Sequence, residues 1–173
     1  MKIAILSDTH DNLANLKKCL DFLKKEEIKI ILHCGDVCGV ETMKEIKKKF
    51  KGKIYLTFGN ADFQELKEKI KKGWFKSIEF SENFKEIVID DLKIGLCHSL
   101  ELGEKLCQSK RYDFFFFGNT HKPSLKKIGG CYLANPGNLA NLYFQPTFAI
   151  LDTKSKKLNL VLINKLAVNQ KGN

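Results

Sequence analysis

Residues 2–10 read KIAILSDTH, a short apolar run followed by two possible metal ligands, Asp8 and His10. Apolar runs of this length, bounded by Gly and Asp, are typical of buried strands in a parallel sheet. Because the carboxyl ends of such strands lie along the edge where open α/β sheets bind ligands, we expect the residues after them to converge. The pattern recurs along the chain: Asp36 follows residues 30–32, Asn60 follows 54–58, His98 follows 94–97, and His121 comes four residues after 114–117.

Helical and extended patterns alternate through the first 120 residues. Leucines at three- and four-residue spacing predict a helix over residues 13–25, with Asn12 or Asp11 as its N-cap. Strand–helix–strand units of this kind form parallel sheets with right-handed crossovers. The other predicted helices cover residues 41–50, 64–71 and 100–110, and the predicted strands cover residues 2–6, 29–33, 53–58 and 113–117.

The order of elements changes after Gly73. Residues 86–89 and 92–96 read as an antiparallel hairpin with two aspartates in its turn. Further strands are predicted over residues 124–128, 131–134, 147–152 and 157–163. We therefore expect an α/β fold of two packed sheets flanked by helices, in a single domain of residues 1–165 with a polar C-terminal tail, 166–173.

The charge of the chain points to an anionic partner. Its 173 residues include 30 basic and 20 acidic side chains, a formal net charge of +10, which suggests phosphate or nucleic acid. However, Arg111 is the single arginine, and arginine is the side chain that forks onto phosphate and guanine. A solvated lysine coat is therefore favoured, and nucleic acid is a disfavoured partner.

Membrane insertion and secretion are not expected. The longest apolar run is far shorter than the roughly 18 residues that a membrane span needs, and the first residues enter a strand without a cleavable signal pattern. These features predict a cytoplasmic protein, in which the six cysteines would be reduced thiols. A soft-metal site on Cys34 and Cys38 is the less favoured alternative, because zinc would need further thiolate or imidazole partners.

Two aromatic groups and one histidine are interpreted as structural. Residues 114–117 read FFFF, which suits a strand that is covered on both faces. Trp74 and Phe75 could form an exposed partner surface, but a cap over the core is the favoured interpretation. His33 lies inside a predicted strand, so a buried histidine with satisfied hydrogen bonds is favoured over a catalytic role.

The strand-end residues have the chemistry of a metal site. Carboxylates and imidazoles that are brought together at a buried edge cost desolvation and repulsion unless a cation compensates them. Carboxylate, amide and imidazole ligands favour divalent manganese, iron, magnesium or zinc. Six such ligands exceed what one catalytic ion takes from a protein, so two ions that share a carboxylate fit better.

The same residues resemble the motifs of the calcineurin-like metallophosphoesterases, and most of the chain is covered. The motifs are Asp8-Thr9-His10, Gly35-Asp36, Gly59-Asn60, Cys97-His98 and Gly118-Asn119-Thr120-His121. The resemblance is greatest to the small prokaryotic phosphodiesterase branch, in which Asn135-Pro136-Gly137 resembles a turn beside the site. It implies two mixed sheets packed face to face in a four-layer α/β/β/α sandwich.

The resemblance also implies a ligand set and a reaction. Asp8, His10 and His121 would hold the first metal, Asn60 and His98 the second, and Asp36 would bridge the two. A hydroxide that bridges the ions would attack phosphorus, so the chain would be a metal-dependent phosphodiesterase, with Asp36 and His98 as catalytic residues. The implied cofactors are two divalent ions, manganese or nickel before iron, magnesium or zinc. The implied substrate is a small phosphodiester, contacted by Asn60 and Asn135, and a homo-oligomer is possible.

Two positions depart from the family pattern. Asn119 stands where the family carries a histidine that ligates the second metal, so this site should bind its ion more weakly. Ala61 stands where nuclease and phosphatase relatives carry a histidine proposed to assist the leaving group. A methyl group cannot donate a proton, so substrates with poor leaving groups should turn over slowly.

Two alternative functions stay open. The retromer subunit of this fold keeps the architecture with a degraded metal site and works as a protein-binding scaffold, and Asn119 is one step in that direction. A DNA-repair nuclease fits the basic charge, but it is disfavoured by the single arginine, the alanine at position 61 and the lack of room for a capping domain. The remaining metal-type ligands favour the enzyme.

Overall fold

The computed structural model describes residues 1–109 and 111–166, which form eleven strands and four α-helices. The helices are α1 (Leu13–Lys25), α2 (Val40–Lys49), α3 (Gln64–Lys71) and α4 (Leu100–Gln108), and a short 3-10 helix covers Ile163–Lys165. The strands are β1 (Lys2–Leu6), β2 (Ile30–His33), β3 (Lys53–Thr57), β4 (Ile78–Ser81), β5 (Phe84–Ile89), β6 (Leu92–Cys97), β7 (Phe114–Phe116), β8 (Ser124–Ile128), β9 (Cys131–Asn135), β10 (Thr147–Asp152) and β11 (Lys157–Leu162).

The strands form two mixed sheets. The six-stranded sheet has the order β11-β10-β1-β2-β3-β4, in which β1 to β4 are parallel and β10 and β11 are antiparallel additions. The five-stranded sheet has the order β5-β6-β7-β9-β8, with a parallel centre of β6, β7 and β9. The expectation of two mixed sheets flanked by helices is confirmed.

Three apolar layers hold the sandwich together. One lies between the sheets, where Ile3 and Ile5 of β1 meet Phe114 and Phe116 of β7. A second packs α1, α2 and α3 on the six-stranded sheet, and a third packs α4 on the five-stranded sheet. Phe115 and Phe117 belong to this third layer, so alternate phenylalanines of the run face opposite sides of β7. The prediction that the run is core is confirmed.

The helices begin where their sequences indicate. Asn12 caps α1, because its side chain accepts a hydrogen bond from the backbone N–H of Asn15 at 3.0 Å. Ser99 caps α4 in the same way through the N–H of Leu102. Ser99 directly follows His98, and Asn12 comes two residues after His10, so capping fixes the points at which the chain leaves these two residues of the predicted metal set.

Some predicted boundaries differ from the structure. The edge strand β4 was not predicted, because its four residues IEFS are half-buried and carry no continuous apolar run. The helix predicted to end at Lys110 is observed to Gln108, and Lys110 itself lies outside the described residues. Leu166 packs against the core, whereas residues 167–173 lie outside the described part, so the domain boundary at 165 stays a prediction.

The cysteine and Trp74-Phe75 interpretations need correction. Cys107 of α4 and Cys131 of β9 form a disulfide, with their Cα atoms 5.6 Å apart, because α4 packs directly on β9. The other four cysteines are buried free thiols, as predicted. Phe75 packs against the core, but Trp74 is 65% exposed with the Lys69 ammonium over its ring. The pair is therefore split between core and surface.

Among the residues that the structure describes, no helix is long and apolar enough to cross a lipid bilayer.

Candidate metal centre

The carboxyl ends of five strands deliver the predicted ligands to one edge of the sandwich. The six-stranded sheet supplies Asp8 and His10 after β1, Asp36 after β2 and Asn60 after β3. The five-stranded sheet supplies His98 after β6 and His121 after β7. The centre therefore lies where the two sheets meet, and each sheet contributes imidazole ligands.

The backbone around the ligands is held in the left-handed region. The φ angles are 51° at Asp8, 41° at His10, 58° at Asp36 and 58° at His121, a conformation that costs free energy for residues other than glycine. Backbone hydrogen bonds from Thr9 and His10 to the carbonyl of Asp36, at 2.8 and 3.0 Å, hold the first two loops together. Strain of this kind persists where the surrounding structure fixes the chain, as it does here.

Asp8, His10 and His121 form the first group of ligand atoms. The His121 Nε2 lies 3.3 Å from the Asp8 Oδ1 and 3.3 Å from the Nε2 of His10. All three residues can place one ligand atom within 4.8 Å of the others. The predicted first-metal residues are therefore brought together.

The second group lies beside the first. Asp8, Asp36 and His98 can also place ligand atoms within 4.8 Å of one another. The His98 Nε2 lies 3.3 Å from the Asp36 Oδ2 and 3.0 Å from the Asn60 Oδ1. The Asp36 Oδ2 also lies 3.5 Å from the Nε2 of His10, so this carboxylate contacts a histidine of each group.

Burial and neighbouring charges shift the pKa values of the site in different directions. Burial raises the pKa of Asp8 to about 6. Burial also acts to raise the pKa of Asp36, but the hydrogen bond and charge of His98 outweigh it and leave that pKa below its ordinary value. In return Asp36 raises the pKa of His98 against the effect of burial. Burial lowers the pKa of His121.

The hydrogen bonds of the imidazoles fix which nitrogen can bind a cation. The Nδ1 of His98 lies 2.7 Å from the carbonyl oxygen of Cys34, an acceptor, so this nitrogen carries the proton. In the neutral ring the Nε2 lone pair is then free and faces Asp36 and Asn60. Histidine ligands of metals are oriented in this way by a hydrogen bond at the other nitrogen. His10 presents its Nδ1 to the Cys38 thiol at 3.5 Å.

The donor set fits divalent cations. Two buried carboxylates face three imidazole Nε2 atoms, and carboxylate oxygen with imidazole nitrogen suits manganese, iron, magnesium, nickel or zinc. The Nε2 atoms of His10 and His121 lie 3.3 Å apart, close enough to serve as two ligands of one ion. The Nδ1 of His121 is buried without a hydrogen-bond partner among the described residues. These features indicate which residues could hold ions.

Gly59 and Gly35 allow the backbone to approach the Asp36 carboxylate and the His98 imidazole closely. A Cβ at Gly59 would collide with the Asp36 carboxylate. A Cβ at Gly35 would lie 2.7 Å from the His98 Nδ1 and 2.8 Å from the Gly59 nitrogen, and the φ of Gly35 is +96°. The Gly-Asp and Gly-Asn pairs of the sequence are therefore close-approach positions as well as turns.

Asp62 is a site residue whose role could not be predicted from the sequence. Its buried carboxylate accepts hydrogen bonds from the backbone N–H groups of Asp36 at 3.2 Å, Cys38 at 2.9 Å and Gly59 at 2.7 Å. Burial raises its pKa, and these donors oppose the rise. Asp62 thus ties the loop that carries Asp36 to the loop that carries Asn60. The available signal was an acidic residue three positions after Gly59.

Asn119 and Asn135 are placed differently from the ligands. The side chain of Asn119 is exposed, and its backbone N–H lies 3.2 Å from each oxygen of Asp8, so its role as a weaker ligand stays a prediction. The Asn135 side chain is buried; it donates to the Gly118 carbonyl and the Thr120 hydroxyl and accepts from the Gly137 N–H. This placement favours positioning of the turn before His121 over the predicted contact with substrate.

Ala61 and His33 contact residues of the site but are not themselves proposed ligands. The backbone N–H of Ala61 donates to the Asp36 Oδ1 at 2.8 Å, so this residue orients the carboxylate through its main chain. His33 accepts from the Gly35 N–H through Nδ1 at 3.3 Å, and its Nε2 lies 2.9 Å from the Thr9 hydroxyl. Burial lowers the pKa of His33 to about 3, which keeps the ring neutral. The interpretation of His33 as a satisfied core histidine is confirmed.

The model of the calcineurin-like phosphoesterase superfamily domain matches residues 1–156 of the chain. The chain belongs to this superfamily. The family and the phosphoesterase class of enzyme predicted from the motifs are confirmed.

Two archaeal relatives are similar to this chain in sequence. The chain is 32% identical over 169 residues to phosphodiesterase MJ0936 of Methanocaldococcus jannaschii, a match that covers 94% of this chain and 99% of that protein. A probable metallophosphoesterase of the same organism, MJ0623, is 29% identical over 148 residues, which cover 80% of this chain and 68% of that protein.

Solved structures of three similar proteins share this fold. A novel archaeal phosphodiesterase superimposes with a TM-score of 0.84 at 31% identity, over 94% of this chain and 99% of that one. Vps29 of Entamoeba histolytica reaches a TM-score of 0.66 at 22% identity, with coverage of 94% and 99% of the two chains. The E. coli phosphoesterase Yfce reaches 0.67 at 16% identity, with coverage of 95% and 100%. The last two likenesses concern the fold alone.

Proposed function

We propose that this phosphoesterase is a metal-dependent phosphodiesterase that hydrolyses small phosphodiesters at a two-ion centre. The observation that carries the proposal is the convergence of two buried carboxylates and three imidazole Nε2 atoms at the meeting edge of the two sheets. The likeness to an archaeal phosphodiesterase over nearly the whole chain supports a diester as the substrate class.

The proposed ligand roles follow the contacts. Asp8, His10 and His121 would hold the first ion, and Asn60 and His98 the second. Asp36 is the proposed bridge because it contacts His10 of the first group and His98 of the second, at 3.5 and 3.3 Å. Asn119 would complete the second group as a weaker ligand.

Divalent ions bound here would lower the pKa of a water nucleophile and offset the charge of a phosphoryl group. The chain's own residues prepare the site for this chemistry. Cys34 fixes the tautomer of His98 through its carbonyl, and Ala61 orients Asp36 through its N–H. Asp62 holds the two loops in register. Asn60, which is exposed and has its Oδ1 3.0 Å from the His98 Nε2, is also the proposed contact to a phosphoryl oxygen.

The finer properties of the enzyme belong to the same proposal. Manganese or nickel are the proposed native ions, with iron, magnesium or zinc as alternatives, because oxygen and imidazole donors accept each of them. The alanine at position 61 leaves the enzyme without a proton donor there, so diesters with acidic alcohols should be its best substrates. A cytoplasmic location and a possible homo-oligomer stay predictions.

The test is hydrolysis of an activated phosphodiester and of its monoester by chelator-treated protein. Manganese, nickel, magnesium, iron or zinc is added back one at a time. We expect diesterase activity that depends on metal and exceeds monoesterase activity, and we expect Asp36→Asn to abolish it. Metal-loaded protein that is inert on both ester classes would favour the scaffold function instead.

The nuclease alternative has its own test. Binding of short duplex DNA is measured at low and moderate salt, because phosphate contacts weaken steeply as salt rises. We expect no salt-sensitive binding beyond that of the general lysine coat. Tight binding at low salt with accompanying cleavage would make nucleic acid the substrate.

A further inference from the structure

A cavity of about 330 Å³ is lined by residues of α4, β8 and β9 and of the loops that follow β7 and β9. Its apolar wall consists of Leu100, Phe117, Leu133 and Phe144. Phe117 and Leu133 are buried core residues, so this wall is rigid, whereas Phe144 is 40% exposed at the mouth. Cavities that bind small organic ligands have volumes of about 300–1,000 Å³ and mostly apolar linings. This one therefore suits a single ring or a group of similar size.

Chain connectivity places the cavity against the metal centre. Leu100 is two residues after His98, and the lining residue Thr120 immediately precedes His121. Phe144 follows Tyr143, whose ring centroid lies 5.8 Å from that of His121. Three segments that line the cavity thus also carry or contact the proposed ligands. A group esterified to a phosphate at the centre has this cavity as its neighbour.

Tyr143 precedes the lining residue Phe144 and lies beside the ring of His121. Its side chain is 90% exposed and its φ is 60°, so both solvation and backbone conformation oppose an aromatic residue at this position. The loop is nevertheless fixed, because the Asn138 amide donates to the carbonyl of His121 at 3.1 Å and accepts from the N–H of Leu142 at 3.1 Å. The exposed ring is therefore presented from a rigid loop, a combination typical of a stacking surface.

The charged residues that line the cavity can accommodate the negative phosphate of the ester. Lys126 is paired with Glu104, and both line the cavity. Lys122 lines it as well and is exposed one residue after His121. Its ammonium is placed to offset the negative charge of a diester bound beside the apolar wall.

On these grounds, and resting on the phosphodiesterase function proposed above, we propose that the substrate is a phosphodiester whose retained ester group, opposite the leaving group, is planar and aromatic and binds in this cavity against Phe144, next to the exposed ring of Tyr143. An aryl ester and a nucleoside ester share this chemistry. A small alkyl ester would leave the wall solvated and should bind more weakly, because aromatic burial is a major source of affinity in apolar pockets.

The test varies one ester group while the leaving group stays constant. The substrates are the methyl, phenyl and thymidine 5′ esters of p-nitrophenyl phosphate, so that each reaction releases p-nitrophenolate. We expect KM to be about tenfold higher for the methyl ester than for the phenyl ester, the size of effect that one apolar group gives in a pocket. Phe144→Ala and Tyr143→Ala should each raise KM for the aromatic esters and leave KM for the methyl ester within about twofold.

The matched control is Trp74→Ala, which also removes an exposed aromatic ring but lies beyond the carboxyl-terminal end of α3, away from the site. It should change none of the three KM values. A preference for the thymidine ester alone would assign the cavity to a nucleoside, and equal preference for the phenyl ester would assign it to aromatic groups in general. Equal KM values for all three esters, or equal losses on all three in Phe144→Ala, would overturn the proposal.

A binding measurement separates this proposal from the enzymatic function. Saturation-transfer NMR on metal-free protein should show transfer to the ring protons of phenyl methylphosphonate, retained in Trp74→Ala and reduced at least about threefold in Phe144→Ala, as expected for a lost ring contact. Absence of transfer in the unsubstituted protein would contradict the cavity assignment. Absence of hydrolysis of all three esters with every metal would instead contradict the phosphodiesterase function.

Discussion

The two halves of the metal centre differ in how firmly the fold holds them. In the first, Asp8 is fully buried and is fixed by backbone hydrogen bonds to the second loop and the loop after β9, and His121 is 8% exposed with its carbonyl held by the Asn138 amide. In the second, His98 is buried but its proposed partners Asn60 and Asn119 are exposed amides. A carboxylate with two imidazoles binds a divalent ion more strongly than one imidazole with amides. The centre should therefore be asymmetric.

Removal of the residue that joins the halves should have the largest effect. Asp36→Asn keeps the volume but removes the charge that contacts both His10 and His98. We expect diesterase activity to fall by about a thousandfold or more, because the electrostatic support of both ions is lost. Steady-state hydrolysis of an activated diester under saturating manganese measures this loss. Circular dichroism confirms the fold, and activity within about tenfold of the unsubstituted protein would contradict the bridging role.

Addition of a proton donor beside the second half of the centre should raise kcat for substrates with poor leaving groups. Ala61→His places an imidazole next to Asn60, where the chain has only a methyl group. General acid catalysis is worth about 100-fold or more when the leaving group is a poor one. We expect this gain for an alkyl leaving group and little change for p-nitrophenolate. The ratio of the two kcat values is the measurement, and a ratio that does not move would show that no donor is missing at position 61.

Loss of the Asp62 carboxylate, which joins the Asp36 loop to the Asn60 loop, should lower both the stability of the fold and the metal affinity of the centre. Asp62→Ala removes a buried acceptor of three backbone N–H groups. We expect a destabilisation of about 2–4 kcal/mol, because buried donors lose a charged partner, together with weaker metal binding. Asp21→Ala is the matched control: Asp21 is an exposed partner of Lys49, and such pairs contribute about 0–1 kcal/mol. Urea unfolding compares the two variants, and equal free energies of unfolding would contradict the role of Asp62.

The smallest expected effect is a gain in metal affinity at the weaker half of the centre. Asn119→His supplies the imidazole that the family pattern has at this position, and it should tighten the weaker metal site by about tenfold, the lower end of the effects seen for metal-site partners. Asn159→His on the exposed edge strand β11 controls for the addition of a histidine elsewhere. Calorimetric titration with manganese measures both. Unchanged affinity in Asn119→His would mean that position 119 faces away from the ion.

The same contrast separates what could be predicted from the sequence and what could not. Local patterns were sufficient for β1, for α1 and for the convergence of strand-end ligands such as Asp8 and His98, because period and capping are local properties. The role of Asp62 and the pairing of Cys107 with Cys131 depend on contacts across 26 and 24 residues of sequence. Such contacts form only when the sheets and α4 are packed, so they cannot be predicted from the residues that flank Asp62 or the cysteines in the sequence.

The loop after β9 is a further case. Asn135, Asn138 and Tyr143 lie in a stretch whose asparagines, proline and glycine resemble an ordinary turn. In the folded chain Asn135 donates to the carbonyl of Gly118, Asn138 donates to the carbonyl of His121, and the Tyr143 ring lies beside that of His121. Side-chain bonds to distant backbone groups are decided by packing geometry, and composition alone does not reveal them.

Titration of chelator-treated protein with manganese, followed by the electron paramagnetic resonance signal of the free ion, tests the asymmetric two-ion centre most directly. We expect two bound ions per chain with dissociation constants at least about tenfold apart. We also expect loss of the tighter site in His121→Ala and a closer match of the two affinities in Asn119→His. One ion per chain, or two sites of equal affinity that Asn119→His leaves unchanged, would contradict an asymmetric two-ion centre.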